Sequence, residues 1–177
     1  MPTLRNDVLV RPLADGDWSG VARLEADVYG PLGLSEGAEA LASRARTSPG
    51  TCYVVESDAH TAGYLISLPY PPFRSPDLAR TEETAFRSTN LHLHDLAVAE
   101  RFRGAGLARR LLERLDATAR SERYERISLI AVAGSAPFWS ARGFHPHREV
   151  GLPASYGTDA TYMSMPIPGR VPERRKG

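Results

Sequence analysis

Two histidines, His92 and His94, stand two residues apart in the strand-like segment Leu91–Val98. Alternate side chains of an extended strand share a face, so both imidazoles project from one side, roughly 6.6 Å apart along it. Imidazole is the side chain best matched to taking up a proton near neutral pH, which makes the pair a candidate general base or proton relay. Strand alternation puts Asp95 on the opposite face, where it is expected to buttress the fold. The histidines also read as sheet residues satisfied by a neighbouring loop. A few residues further on, Arg101-Phe102-Arg103-Gly104-Ala105-Gly106 places two glycines between a strand and a helix. Glycine lets a backbone turn tightly and approach a ligand without a Cβ in the way. The N–H groups at the following helix start, with the helix dipole, suit a pyrophosphate. The spacing is neither GxGxxG nor GxxxxGK[ST], so a Rossmann fingerprint and a P-loop are excluded. By spacing alone, two glycines before a helix are equally a plain tight turn.

Other reactive residues read more simply. Arg103 is placed for a phosphate contact, whereas the Arg109-Arg110 pair reads as a solvated helix face. His60, His145 and His147 have no ligand-like partners, so no metal site is expected. Cys52 is the only cysteine, which excludes an internal disulfide framework and a cysteine-based zinc site; it reads as inert packing. Trp18 and Met163–Met165 read as core.

The elements that must hold these residues follow from hydrophobic period and from turn residues. Val8, Val10 and Leu13 mark a first strand, after which Asp15 or Asp17 caps a helix carrying Trp18, Val21, Ala22 and Val28. Gly30, Pro31 and Gly33 end it. A second helix runs from Glu36 to Arg46, with Ala38, Leu41, Ala42 and Ala45 on one face. Strands at Thr51–Glu56 and Ala62–Leu68 flank the turn SDAHT. Pro69 to Asn90 is a proline-rich stretch without clear period, of a length that usually serves function. Leu91–Val98 is the strongest strand, and a helix from Gly106 to Arg120 follows the glycines. Ile127–Val132 reads as a central buried strand. A short helix spans Ser135 to Arg142, an extended segment starts at Phe144, and Thr161–Met165 is the last strand. The order β-α-α-β-β-β-α-β-α-β-β describes an α+β domain over residues 1–168, with a frayed tail at 169–177.

With 177 residues, 42% hydrophobic and 24% charged, the chain matches one globular domain. Its start has no apolar signal segment, and no run of apolar residues is long enough to span a membrane, so a cytoplasmic protein is expected. A net charge of +1 argues against a general nucleic-acid binder. That near-neutrality is a cancellation. Residues 1–100 hold 8 arginines against 14 carboxylates, and residues 101–177 hold 14 basic residues against 7 acids. The basic half contains the glycine loop, as an anionic ligand favours.

Arg101 to Gly106 resembles the [Q/R]-x-x-G-x-[G/A] signature of the GNAT superfamily of acyl-CoA-dependent N-acetyltransferases. A second likeness is the aromatic pair Phe138-Trp139 followed by Ser140-Ala141-Arg142-Gly143-Phe144. The order of elements resembles that fold from residue 8 to about 166, which implies a mixed, mostly antiparallel central sheet flanked by helices. LHLHDLAVAERFRGAG and GFHPHR are similar to segments of the arylalkylamine N-acetyltransferases, whose paired strand histidines fall here at His92 and His94. The resemblance implies acetyl-CoA as co-substrate and direct attack by an amine in a ternary complex. It implies that the backbone of Leu96, Ala97 and Val98 pairs with the pantetheine arm and supplies an oxyanion donor near Leu96 or Ala97. It places the pyrophosphate on the amides of Arg103, Gly104, Ala105, Gly106, Leu107 and Ala108, with Phe138 against the arm. Many family members have a tyrosine acid at the position of Trp139, and indole N–H is a donor without useful acidity. Tyr156 and Tyr162 are candidate replacements. The expected acceptor is the primary amine of a small molecule, of arylalkylamine or polyamine type, with a homodimer allowed. A protein N-terminal or lysine acetyltransferase and a non-catalytic acyl-CoA-binding module are the alternatives.

Overall fold

The computed structural model describes residues 7–168; the expected tail at 169–177 lies outside the described residues. β-Branched and aromatic runs become the strands β1 (Val8–Pro12), β2 (Cys52–Ser57), β3 (His60–Pro69), β4 (Asn90–Val98), β5 (Arg126–Val132), β6 (His145–Pro146) and β7 (Ala160–Pro166). The helices are α1 (Trp18–Tyr29), α2 (Ala38–Thr47), α3 (Leu107–Ser121) and α4 (Ala136–Ser140). They form one seven-stranded sheet in the order β1-β2-β3-β4-β5-β7-β6. Every neighbouring pair is antiparallel except β4 and β5, which the α3 crossover makes parallel. This is the expected α+β architecture and element order. No helix among the described residues is long and apolar enough to cross a membrane.

Helices cover both faces of the sheet. α3 buries Leu107, Leu111, Leu115 and Ala119, a stripe at every fourth residue, while its other positions are mostly charged. That stripe meets Tyr53, Val55, Leu65, Leu91 and Leu93 from the sheet. On the other face, Val21, Leu24, Leu41 and Ala45 of α1 and α2 pack on Val54, Tyr64 and Ile66. The inward face of α2 differs from the one its alanines suggest. Ala38 is exposed, and Ala40, Leu41, Ser43, Arg44 and Ala45 are the buried residues. A buried arginine reads as polar in any hydrophobic pattern, and it fits here because its charge is met inside the protein. Asp17 also departs from simple capping: its carboxylate takes two bonds from Arg11, each 2.7 Å, and one from the Ala14 N–H.

Two irregularities of β4 create the site. The β4–β5 pairing runs only from Asn90↔Arg126 to Leu93↔Leu129, so the strands part beyond it. Against β3, Leu93 opposes Ser67 and Asp95 opposes Ile66, which leaves His94 as the extra residue of a bulge.

Candidate active site

A cleft of about 400 Å³ opens where β4 and β5 part. Leu129 and Ile130 of β5 and Leu96 and Val98 of β4 line its middle; Phe138 and Trp139 of α4 close one side. Ala99 N–H donates to Ala62 O at 2.8 Å, so Ala97 also turns its amide and carbonyl toward β3. The same alternation turns the backbone groups of Leu96 and Val98 toward the opening. The Leu96 carbonyl already accepts the Tyr29 hydroxyl at 2.8 Å, which leaves its N–H as the donor on that edge. Of the three strand residues expected to meet an acyl-CoA arm, the cleft thus receives the edges of two.

The glycine loop lies at one end of the cleft. Gly104 and Gly106 have φ of +83° and +76°, in the left-handed region that costs a side chain about 1–2 kcal/mol. Apart from the adjacent residues, no atom lies within 4 Å of where a Cβ would stand on either. Leu107 is buried as the first residue of α3, while Arg103, Gly104, Ala105 and Gly106 are exposed. Arg103 and Ala108 reach the cleft wall. A cradle of amides at the start of a 15-residue helix fits a pyrophosphate. Phe138 is 40% exposed, its ring 3.6 Å from the Arg142 guanidinium carbon. Arg109 pairs with Glu113 on the solvated face of α3, as its spacing suggests.

At the other end the histidines take different surroundings. His94 Nε2 and Glu36 Oε1 are 2.7 Å apart, both side chains almost fully buried. Burial opposes charge on Glu36, but His94 and then Arg44 outweigh it and hold its carboxyl at about 2. An ionised carboxylate only accepts, so Nε2 donates. Nδ1 is buried and without a partner. His92 sits one layer deeper, 1% exposed, with Nδ1 2.8 Å from Ser128 Oγ and its ring 6.3 Å from that of His94. Burial first, and then His94, hold its pKa well below the ordinary histidine range, so His92 stays neutral.

Asp95 is the main correction to the expected geometry. The bulge at His94 breaks the alternation and brings Asp95 to the same side of the sheet, where both line the cleft. Tyr64 donates to Asp95 Oδ2 at 2.8 Å, and Oδ1 is buried without a partner. Burial, more than the Tyr64 bond can offset, lifts this carboxyl to about 8. Glu25, Tyr29, Glu36 and Arg44 join the site through contacts that sequence spacing does not reveal. Trp139 is packed edge-on between Phe138 and Phe144. Of the two tyrosines considered as replacements for a family acid, Tyr156 lines the cleft with its hydroxyl unpartnered, and burial raises its pKa far above the ordinary range. Tyr162 instead accepts the Phe73 N–H at 2.9 Å, outside the cleft. Burial pushes the Cys52 thiol up to about 12, consistent with inert packing. No cluster of three metal-ligating side chains occurs among the described residues.

Comparison with known proteins agrees with this geometry. Residues 18–144 match the Acetyltransferase (GNAT) family. The loading GNATL domain of CurA from Lyngbya majuscula is similar at TM-score 0.76 and 16% identity, covering 93% of this chain and 100% of that one. Ard1 from Thermoplasma volcanium is similar at 0.68 and 16% identity, covering 90% and 97%. N-acetylglutamate synthase from Neisseria gonorrhoeae, complexed with coenzyme A and N-acetyl-glutamate, is similar at 0.70 and 18% identity, covering 92% of this chain and 35% of that one. No curated protein sequence matches the chain. The solved structures show the shared fold, and the family match takes in every element around the cleft except the Tyr156 turn; on that match the chain belongs to the GNAT family of acyl-CoA-dependent acetyltransferases.

Proposed function

We propose that the chain transfers an acetyl group from acetyl-CoA to the primary amine of a small molecule, of arylalkylamine or polyamine type, by direct attack in a ternary complex. One observation carries this reading: a single cleft is lined by Arg103 and Ala108 on either side of the glycine loop, by Leu96 and Val98 of β4, and by His94. Acetyl-CoA supplies an activated thioester. The amides from Gly104 to Ala108 hold its pyrophosphate, the Arg103 N–H being already donated to the Glu100 carbonyl at 3.1 Å, and Leu96 and Val98 pair with the arm. Phe138 packs against that arm, and Ala97 supports the edge from the β3 side. The Leu96 N–H points at the carbonyl oxygen, where negative charge develops.

An amine attacks only when neutral, so a base must take its proton. His94 Nδ1 does so, while Glu36 holds the ring and stabilises the charge formed. His92 stays neutral and serves as a relay behind it. The C–S bond breaks with CoA leaving as its thiolate, a fair leaving group because thiols titrate at about 8.5, and Tyr156, too weak an acid to protonate it, donates a hydrogen bond in the acceptor end. A small acceptor, rather than a protein, is supported by the 70–89 loop, whose Leu78 lines the cleft. That loop is held by Ser155 and Tyr162. A cytoplasmic location belongs to this reading.

The test is thiol release from acetyl-CoA across a panel of arylalkylamines, polyamines and lysine peptides. Turnover confined to small amines is the expected result, and turnover confined to peptides overturns it. The double variant His92→Ala plus His94→Ala is expected to lower turnover and move the pH optimum upward, with CoA affinity little changed. An unchanged pH–rate profile removes the histidines from the mechanism.

A further inference from the structure

We propose that Arg44 is a positioning residue of the acetyl-transfer site, acting through Glu36 on His94 and through the 77–82 backbone on the cleft wall. The proposal rests on His94 as the proton acceptor. Arg44 is 1% exposed. Its Nε and Nη2 donate to Glu36 Oε2 at 3.1 and 2.8 Å, while Glu36 Oε1 accepts from His94 Nε2 at 2.7 Å. One carboxylate thus bridges the Arg44 guanidinium and the His94 imidazole. The remaining donors hold the loop: Nη1 reaches Glu82 at 3.2 Å, and Nη2 reaches the carbonyls of Asp77 at 2.8 Å and Arg80 at 3.0 Å. Leu78, between those anchors, lines the cleft.

Arg44 thus anchors the loop, and the same guanidinium meets the carboxylate that holds His94, so one side chain serves both. The electrostatic consequence is specific. Arg44 draws on the same carboxylate that stabilises protonated His94. Removing its charge leaves Glu36 wholly to the imidazole and favours the protonated ring. Removing the charge of Glu36 leaves the imidazolium facing Arg44 and disfavours it. Glu82 from the loop, Glu25 from α1, His92 and Asp95 from β4, and Tyr156 also face this group. All remain in both variants. A purely structural role for Arg44 predicts no opposed shifts.

The experiment is kcat/KM against pH for the full chain, with acetyl-CoA and either 2-phenylethylamine or spermidine, whichever the wild type turns over. Glu36→Gln is expected to move the acidic limb down by about one pH unit, and Arg44→Met to move it up by about half a unit. Arg44→Lys, which keeps the charge, holds the limb near the wild-type position. If Arg44→Met does not fold, Arg44→Gln, which loses the charge but keeps donors for Glu36 and the loop, decides: an upward move supports the proposal and an unmoved limb overturns it. His94→Ala separates the two levels. A limb lost there but unmoved in Glu36→Gln and Arg44→Met overturns the role of Arg44 alone. A limb retained in His94→Ala overturns the base assignment, and this proposal with it.

Discussion

Asp95 shows how far one residue's surroundings can shift its chemistry. Its carboxyl is buried between Tyr64 and the acidic side chains of Glu36 and Glu25, and burial lifts it to about 8. The folded value lies above the unfolded one, so its contribution to stability is full below about pH 4 and is lost as pH rises through about 8. Across that window the folded state holds one proton more than the unfolded chain, a slope of about 1.4 kcal/mol per pH unit. Asp95→Asn removes the titration and keeps an acceptor for Tyr64. Urea unfolding over this range is expected to show the variant gaining on the wild type as pH rises. Parallel stability curves overturn the raised value. Asp95 also marks a limit of reading side chains from spacing. His92, His94 and the glycines are legible as candidates because their spacing is local, while the roles expected of them come from the family resemblance. The side of Asp95 depends on a bulge, which hydrophobic alternation does not announce. Glu36 lies 58 residues from its partner His94, and Arg44 lies 38 from Glu82, so their pairing belongs to the tertiary fold. The one local hint was Arg44 following Leu41 by three positions, on the inward side of α2.

The elements themselves were more readable, since strand and helix periods differ and the turn residues separate them. The hairpin between β2 and β3 shows why an exact turn is harder: Asp58 and Ala59 both take positive φ, 51° and 60°, without a glycine to signal it. The parting of β4 from β5 beyond Leu93 is a property of two strands and of no single segment, so no local pattern announces it. The loop between β4 and α3 has a local and testable requirement. Gly104→Val places a branched side chain at φ +83° and over the amides. We expect the Kd for CoA, by titration calorimetry, to rise about tenfold or more, which corresponds to about 1.4 kcal/mol. With saturating acetyl-CoA, kcat stays within about twofold. Unaltered CoA affinity in a folded variant counts against the loop as the phosphate site.

At the scale of the whole molecule, the charge division along the chain acquires a spatial meaning. The exposed arginines Arg101, Arg103 and Arg110, with Arg109 paired to Glu113, lie on the glycine loop and the first turn of α3, at the end of the cleft assigned to the pyrophosphate. Glu25, Glu36 and Asp95 lie at the other end, but their charges are not equally free. Glu25 takes the Ser35 hydroxyl and the Glu36 N–H at 2.9 Å each, Glu36 is spent on Arg44 and His94, and Asp95 is neutral below about pH 8. The acceptor end is therefore much less negative than its carboxylates suggest, while the phosphate end is openly positive. Exposed charges act through solvent and are screened over about 10 Å at 0.1 M salt, whereas buried pairs are screened much less. Raising salt from about 0.05 M to about 0.5 M is thus expected to increase the KM for acetyl-CoA several-fold. Over the same range, the KM for the amine is expected to change less, with kcat nearly constant. Steady-state kinetics with each substrate varied in turn separates the two. Equal salt sensitivity for both substrates implies that the acidic end also attracts its ligand through an open field. An acetyl-CoA KM indifferent to salt removes the arginine cluster from cofactor binding and leaves the helix start and its amides to hold the phosphates alone.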